Sequence, residues 1–210
     1  MYLKTIYTLE EKMGSAKTGD VAKILGITPG SVTNTLEALE AKGLVRREPY
    51  RGVKLTDSGR KIALMVFRKH RLVERLLTDT LHFDWTESHD EACKLEHAIS
   101  DPLAASIEKA LGSPRVCPHG NPIPDELGVI KPVNGEPLSK LRSGEMAMVS
   151  HIPDENTSLL KYLASLGMAP GTRIKVEEVA PFSGPMLVKV GENSYPLSPE
   201  VAAGIYVSKQ

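Results

Sequence analysis

No run in this 210-residue chain approaches the ~18–20 consecutive apolar residues that cross a bilayer. Its opening, MYLKTIYTLEEK, is amphipathic at helical spacing rather than a charged-then-apolar leader. Both absences point to a cytoplasmic protein with no membrane partner. Two cysteines, Cys93 and Cys117, are too few for a disulfide scaffold, so in a reducing compartment each is expected as a ligand or a core residue. There is no Gly-rich phosphate loop, nucleophile elbow or H-E-x-x-H pattern, and the Cys–His pairing near residue 93 lacks an evident third member, which argues against catalysis. Net charge is missing too, since 26 Lys+Arg balance 26 Asp+Glu.

That balance conceals an asymmetry. Residues 1–70 hold 13 Lys+Arg against 7 Asp+Glu, a net +6, whereas residues 71–210 hold 13 against 19, a net −6. A basic front attached to an acidic remainder suggests a polyanion partner for the front alone. At ~100–150 residues per domain, two or three domains are expected.

The basic segment reads as helix, glycine, helix, hairpin. Met1–Lys12 is amphipathic, and Thr18–Leu25 places Val21, Ile24 and Leu25 on one side before Gly26 ends the helix. Thr28 caps a third helix with Pro29 at its first position and Val32, Leu36 and Leu39 as its buried face, closed by Gly43. Leu44–Arg47 and Gly52–Leu55 are β-rich runs around Pro49-Tyr50-Arg51. The pattern is a winged helix-turn-helix. Its third helix presents Thr28, Ser31, Thr33 and Asn34, small and uncharged near the N-terminus, where base edges are read. The wing offers Arg46, Arg47, Arg51 and Lys54 for phosphates. Double-stranded operator DNA is the expected partner.

A capped helix start at Thr56-Asp57-Ser58-Gly59 leads into a helix running toward Asp79, with another expected over about Thr86–Ser100. Within the second, HDEACKLEHAISD places His89, Cys93, Glu96 and His97 at steps of three and four, on one stripe. Imidazole, thiolate and carboxylate together suit a first-row transition metal. His89 and His97 are eight residues apart, ~12 Å along a helix axis, whereas metal–ligand bonds are ~2.0–2.3 Å. One ion cannot take both. Cys93, Glu96 and His97 form one set, and His89 needs partners from a neighbouring helix, where His70 and Glu74 stand at i,i+4. Two ions per subunit follow. Taken alone, His70/Glu74 is also what a surface ion pair looks like, and a single cysteine is often an inert core residue.

Taken together these stretches resemble the metal-dependent repressors of the DtxR/MntR type with a FeoA/SH3-like tail, over nearly the whole chain. MYLKTIYTLEE resembles the family's first helix, VAKILGITPGSVTNTLEALEAKGLV its helix-turn-helix, and EPYRGVKLTDSGRKIA its wing. RKHRLVERLLTD and HDEACKLEHAISD resemble its metal-binding and dimerisation region, and CPHGNPIP the loop before its tail. The resemblance implies a primary site of Met1, Cys93, Glu96 and His97. It implies an ancillary site of His70, Glu74 and His89, to which the tail adds an acidic residue, here Glu155. It implies a homodimer activated by Fe²⁺ (or Mn²⁺), repressing metal-homeostasis genes. Cys93 favours Fe²⁺, because manganese prefers oxygen and nitrogen donors.

The expected fold is mainly α with small β: a winged helix-turn-helix domain over 1–63, a helical metal-binding and dimerisation domain over 64–111, a linker over 112–135, and an SH3-like β-barrel over 136–210. Tail strands are expected at Glu145–Ser150, Thr172–Val179, Met186–Val190 and Gly204–Ser208, with a helix at about Asn156–Ser165. Cys117 and His119, in Cys-Pro-His, read first as a turn and otherwise as a further metal site. The competing functions are a Mn²⁺-responsive repressor of the same type, a metalloenzyme or metal-trafficking protein, and a redox-sensing transcription factor using Cys93.

Overall fold

A computed structural model describes the chain except residues 49–50, 154–155 and 210. The described residues fall into two compact units, residues 1–68 with 124–129, and residues 69–123 with those from 130 onward. Among the described residues no helix is long and apolar enough to cross a membrane.

The first unit contains α1 (Tyr2–Met13), α2 (Thr18–Leu25), α3 (Pro29–Ala41), the hairpin of β1 (Val45–Glu48) and β2 (Gly52–Leu55), and the start of α4 (Asp57–Arg75). The sequence signals act as expected at α3, where the Ser31 amide donates to Thr28 Oγ1 at 3.3 Å and Pro29 occupies the first turn. Ile6, Leu9, Val21, Val32, Leu36, Val45, Val53 and Leu55 pack into one core that fixes α3 against the hairpin. Ala16 exchanges two backbone hydrogen bonds with Val53, tying β2 to the loop between α1 and α2. Pro49 and Tyr50, read as part of the hairpin turn, lie outside the described residues.

In the second unit α4 continues to Arg75 and loosens into a π-helical turn, Leu76–Thr80, followed by α5 (Ser88–Leu95) and α6 (Asp101–Ala110). The helix expected over about Thr86–Ser100 thus ends five residues early. Ser100, in extended backbone, caps a new helix by accepting from the Leu103 amide at 3.4 Å, and Pro102 sits in that helix's first turn, where its missing N–H costs nothing.

A six-stranded antiparallel sheet follows, in the order β3 (Glu136–Pro137), β8 (Tyr206–Lys209), β4 (Met146–His151), β5 (Arg173–Val179), β6 (Met186–Val190), β7 (Asn193–Leu197). α7 (Thr157–Ser165) and α8 (Pro199–Ala203) supply Leu160, Leu163 and Ala202 to its core, beside Val149, Ile174, Val188 and Val207. The segment before it, read as a linker, has structure of its own. Cys117, His119 and Asn121 are buried, the Ile152 amide donates to the His119 carbonyl at 2.9 Å, and Asn121 Nδ2 donates to the Ile152 carbonyl at 3.1 Å. Gly120 sits at φ +81, and a Cβ there would collide with the Ser150 carbonyl.

Leu36 is buried on α3, so Leu36→Ala is expected to cost about 2–5 kcal/mol in urea unfolding. Lys23→Ala on the exposed face of α2 should stay within about 0.5 kcal/mol.

Candidate functional site

The centre of the second unit is a network of acids, imidazoles and thiols around Glu74. Side chains four apart on α4 share a face, so His70 Nε2 lies 3.0 Å from Glu74 Oε1, with both residues fully buried. On its other side His70 Nδ1 lies 2.7 Å from Glu96 Oε2. α5 adds His89, whose Nδ1 is 3.0 Å from His70 Nε2 and 3.4 Å from Glu74 Oε1, and Cys93, whose Sγ is 3.5 Å from His89 Nε2. The loop 117–121 adds His119, with Nδ1 3.4 Å from Glu74 Oε1 and 3.8 Å from Cys117 Sγ.

Burial of two carboxylates is costly unless positive charge or donors accompany them. His70 supplies that charge. Burial alone lowers its pKa, but hydrogen bonds with Cys93, Glu74 and Glu96 outweigh this and push it up to about 10. For Glu74 burial acts upward, and hydrogen bonds from His119, His70 and His89 overcome it and hold the carboxylate well below its ordinary range. Glu74 Oε2 is nonetheless buried without a hydrogen-bond partner. An orphaned carboxylate oxygen among imidazoles and thiols fits a divalent cation.

Two ligand groups have donor atoms within 4.8 Å of one another: His70, His89 and Cys93, and Glu74, Cys117 and His119. In the second, His119 Nε2 donates to the Trp85 carbonyl at 2.9 Å, an oxygen that can only accept. That bond holds a proton on Nε2 and turns Nδ1 toward Glu74 and Cys117, where it donates to Glu74 when protonated and would offer its lone pair to an ion when not, the orientation that metal-binding imidazoles take.

The structure therefore brings His89 to His70 and Glu74, as the spacing anticipates, and places Cys93 beside His89 and His70. Glu96 is buried between His70 and His97, whose Nε2 is 3.2 Å from Glu96 Oε1. His97 follows the end of α5 and is half exposed, so the continuous helical stripe does not extend to it. Met1, at the N-cap of α1, is exposed. Glu155 lies outside the described residues. The sequence reading gave Cys117 and His119 a turn as their first role, and the turn is present, but it carries both side chains to Glu74. A Cys and a His two apart, with a proline between them and a glycine after, was the available signal.

On the first unit Thr28, Ser31 and Asn34 are exposed at the N-terminal half of α3 and Thr33 is partly so, its Oγ1 donating to the Pro29 carbonyl at 3.0 Å. The wing cations are paired with acids. Arg46 and Lys54 approach Glu48 at 3.7 and 3.3 Å, and Arg47 approaches Glu37 and Glu40 of α3 at 3.4 and 3.3 Å. Arg51 is exposed at the tip, its amide donating to the Glu48 carbonyl.

Comparison with known proteins gives three family matches along the chain. Residues 1–53 match the iron dependent repressor N-terminal DNA binding domain, residues 56–125 the iron dependent repressor metal binding and dimerisation domain, and residues 136–209 the FeoA domain. The iron-dependent repressor IdeR of Mycobacterium tuberculosis (strain ATCC 25618 / H37Rv) is 34% identical over 222 residues, covering all of this chain and 96% of that protein. Among solved structures, a manganese-dependent transcriptional repressor in complex with manganese superposes with a TM-score of 0.90 at 34% identity, over 100% of this chain and 98% of that one. The IdeR of T. acidophilum gives 0.83 at 30% identity, over 100% and 96%.

The two titrating groups fix a stability window for the metal-free protein. Glu74, depressed in the fold, stabilises fully above its ordinary 4.5 and less as pH falls below it. His70, raised in the fold, stabilises fully below its ordinary 6.5 and loses that contribution as pH rises toward about 10. Thermal unfolding without metal should therefore show both contributions complete between pH 4.5 and 6.5 and decline on either side. In His70→Gln the alkaline decline between 6.5 and 10 should flatten; an unchanged decline would remove His70 from this role.

Proposed function

Because the chain belongs to the family of iron-dependent repressors, as a metal-dependent DNA-binding transcriptional repressor and not an enzyme, we propose that Fe²⁺ is its activating ion, that each subunit takes two, and that it represses metal-homeostasis genes as a cytoplasmic homodimer on operator DNA. The observation that carries the metal reading is the orphaned, fully buried oxygen of Glu74 beside two imidazole–thiol groups. Cys93, Glu96 and His97 would hold one ion, and His70, whose Nδ1 lies 2.7 Å from Glu96 Oε2, would orient that carboxylate. Glu74, Cys117 and His119 would hold the other, with His89 beside Glu74 as an additional donor. An ion bound there would supply positive charge to the buried carboxylates and tie α4, α5 and the 117–121 loop together.

The repressor is then a linkage device: metal favours the DNA-competent state to the extent that it binds that state better. Two helix-turn-helix units spaced about one DNA turn apart require a dimer, and the second family match carries dimerisation in its description. Thr28, Ser31, Thr33 and Asn34 face the bases, and Arg46, Arg51 and Lys54 face phosphates.

Fe²⁺ is favoured over Mn²⁺ by sulfur, since Cys93 and Cys117 place a thiol in each ligand group. The Mn²⁺ reading is favoured by the likeness to a repressor described as manganese-dependent. Anaerobic operator binding at buffered free metal decides between them. Wild type should respond to Fe²⁺ at lower free concentration than to Mn²⁺, and Cys93→Glu should reverse or level that ranking. A wild type that answers Mn²⁺ at least as well refutes the iron assignment and leaves the repressor intact.

Asn34 is expected to discriminate one base pair by ~1–3 kcal/mol. Asn34→Ala should relax preference at that position alone, read by competition with single-substituted duplexes; a uniform loss at all positions would take Asn34 away from the bases.

A further inference from the structure

The helix that reads DNA carries no positive charge of its own. In α3 the only charged side chains are Glu37 and Glu40, one turn apart, and the last turn has no basic residue. A polyanion approaching that helix meets two carboxylates, and like charges brought together at an interface cost several kcal/mol. Arg47 of β1 lies against both. Its Nη2 is 3.4 Å from Glu37 Oε1, its Nε is 3.3 Å from Glu40 Oε2, and its own amide donates to Glu40 Oε1 at 3.1 Å. Nη2 also donates to the carbonyl of Thr33, at 3.5 Å, inside the segment read as base-facing.

As a contribution to fold stability this network is small, because each pair is exposed and such pairs are worth ~0–1 kcal/mol. Its consequence is electrostatic and directional. A guanidinium committed to two carboxylates and a helix carbonyl has its donors turned toward α3. Resting on the reading of α3 as the recognition helix, we propose that Arg47 is a positioning residue for DNA recognition: it is the shared internal counterion of Glu37 and Glu40, holding the wing's first strand to the helix and offsetting one of the two negative charges that would repel phosphates, and it is not itself a phosphate contact. This departs from the expectation that all four wing cations face the DNA backbone. The effective charge of the interface then comes from Arg51 and from Arg46 and Lys54, two cations that share the single carboxylate of Glu48, and the acids of α3 are tolerated only while Arg47 is present.

The test uses the full-length, metal-loaded protein and a fluorescent duplex selected from a random library with the wild type. Arg47→Ala should weaken binding by at least about 10-fold. The same substitution made on top of Glu37→Gln and Glu40→Gln should weaken it by less than about 2-fold, because the charge it cancels is gone. The slope of log K against log salt should be unaltered by Arg47→Ala. An equal loss in both backgrounds, or a slope reduced by about one, marks a lost phosphate contact and overturns the proposal. Arg47→Gln, which keeps the stem and an amide donor, replaces the alanine variant should that one not fold, and is read by the same two criteria. Failure to select any duplex with metal-loaded wild type is a separate outcome, which refutes the DNA-binding reading and with it the ground on which this proposal stands.

Discussion

The carboxylate of Glu74 is the constraint around which the second unit is arranged. A buried carboxylate forfeits several kcal/mol of hydration, and three imidazoles lie within 3.4 Å of its Oε1 to offset that loss. Each comes from a different element. His70 arrives by the i,i+4 step along α4, His89 from α5, and His119 from the loop whose backbone is hydrogen-bonded to the exit of β4. With its other oxygen unpartnered, the cluster is satisfied only in part by protons. A divalent ion bound at the proposed site would compete with the His70 proton for the same anionic pocket, so that metal binding would displace a proton.

The surroundings serve that competition by restricting what each ligand can do. The Trp85 carbonyl holds a proton on His119 Nε2 and so turns Nδ1 toward Glu74 and Cys117, while the indole ring packs beside the imidazole. Gly120 permits the turn that brings His119 inward, while Asn121 and Ile152 hold the loop to the sheet. The FeoA-type sheet is thus joined by hydrogen bonds to the loop that carries two of the proposed ligands. In the first unit the same logic applies in a milder, solvent-screened form, with Glu37, Glu40 and Glu48 each matched to a wing cation.

Much of this was legible in the chain. Caps and breakers act locally, so Thr28-Pro29 and Gly26 set the helix-turn-helix to the residue, and alternating apolar runs located β4, β5 and β6. The failures have physical causes as well. The helix expected to reach Ser100 follows a stripe of candidate ligands, although Ser100-Asp101-Pro102 is the capped, proline-bearing start of a second helix; with that new start, His97 leaves the stripe. β7, Asn193–Leu197, has little alternation and contains a proline, which suits an edge strand but hides it. Cys117 and His119 meet Glu74 through packing more than forty residues distant in sequence, which no local pattern reports. The pairing of Arg47 with α3 was hidden for the same reason, since a count of wing cations does not show which acids face them.

If proton and metal compete for one pocket, the number of protons released when the metal binds reads that competition directly. Calorimetric titration of the metal-free protein at pH 7 with Fe²⁺, anaerobically and in buffers of different ionisation enthalpy, measures it. The account predicts that His70→Gln releases about one proton fewer than wild type, because the displaced proton is the one His70 holds against Glu74 and Glu96. Equal release from the two proteins would contradict it.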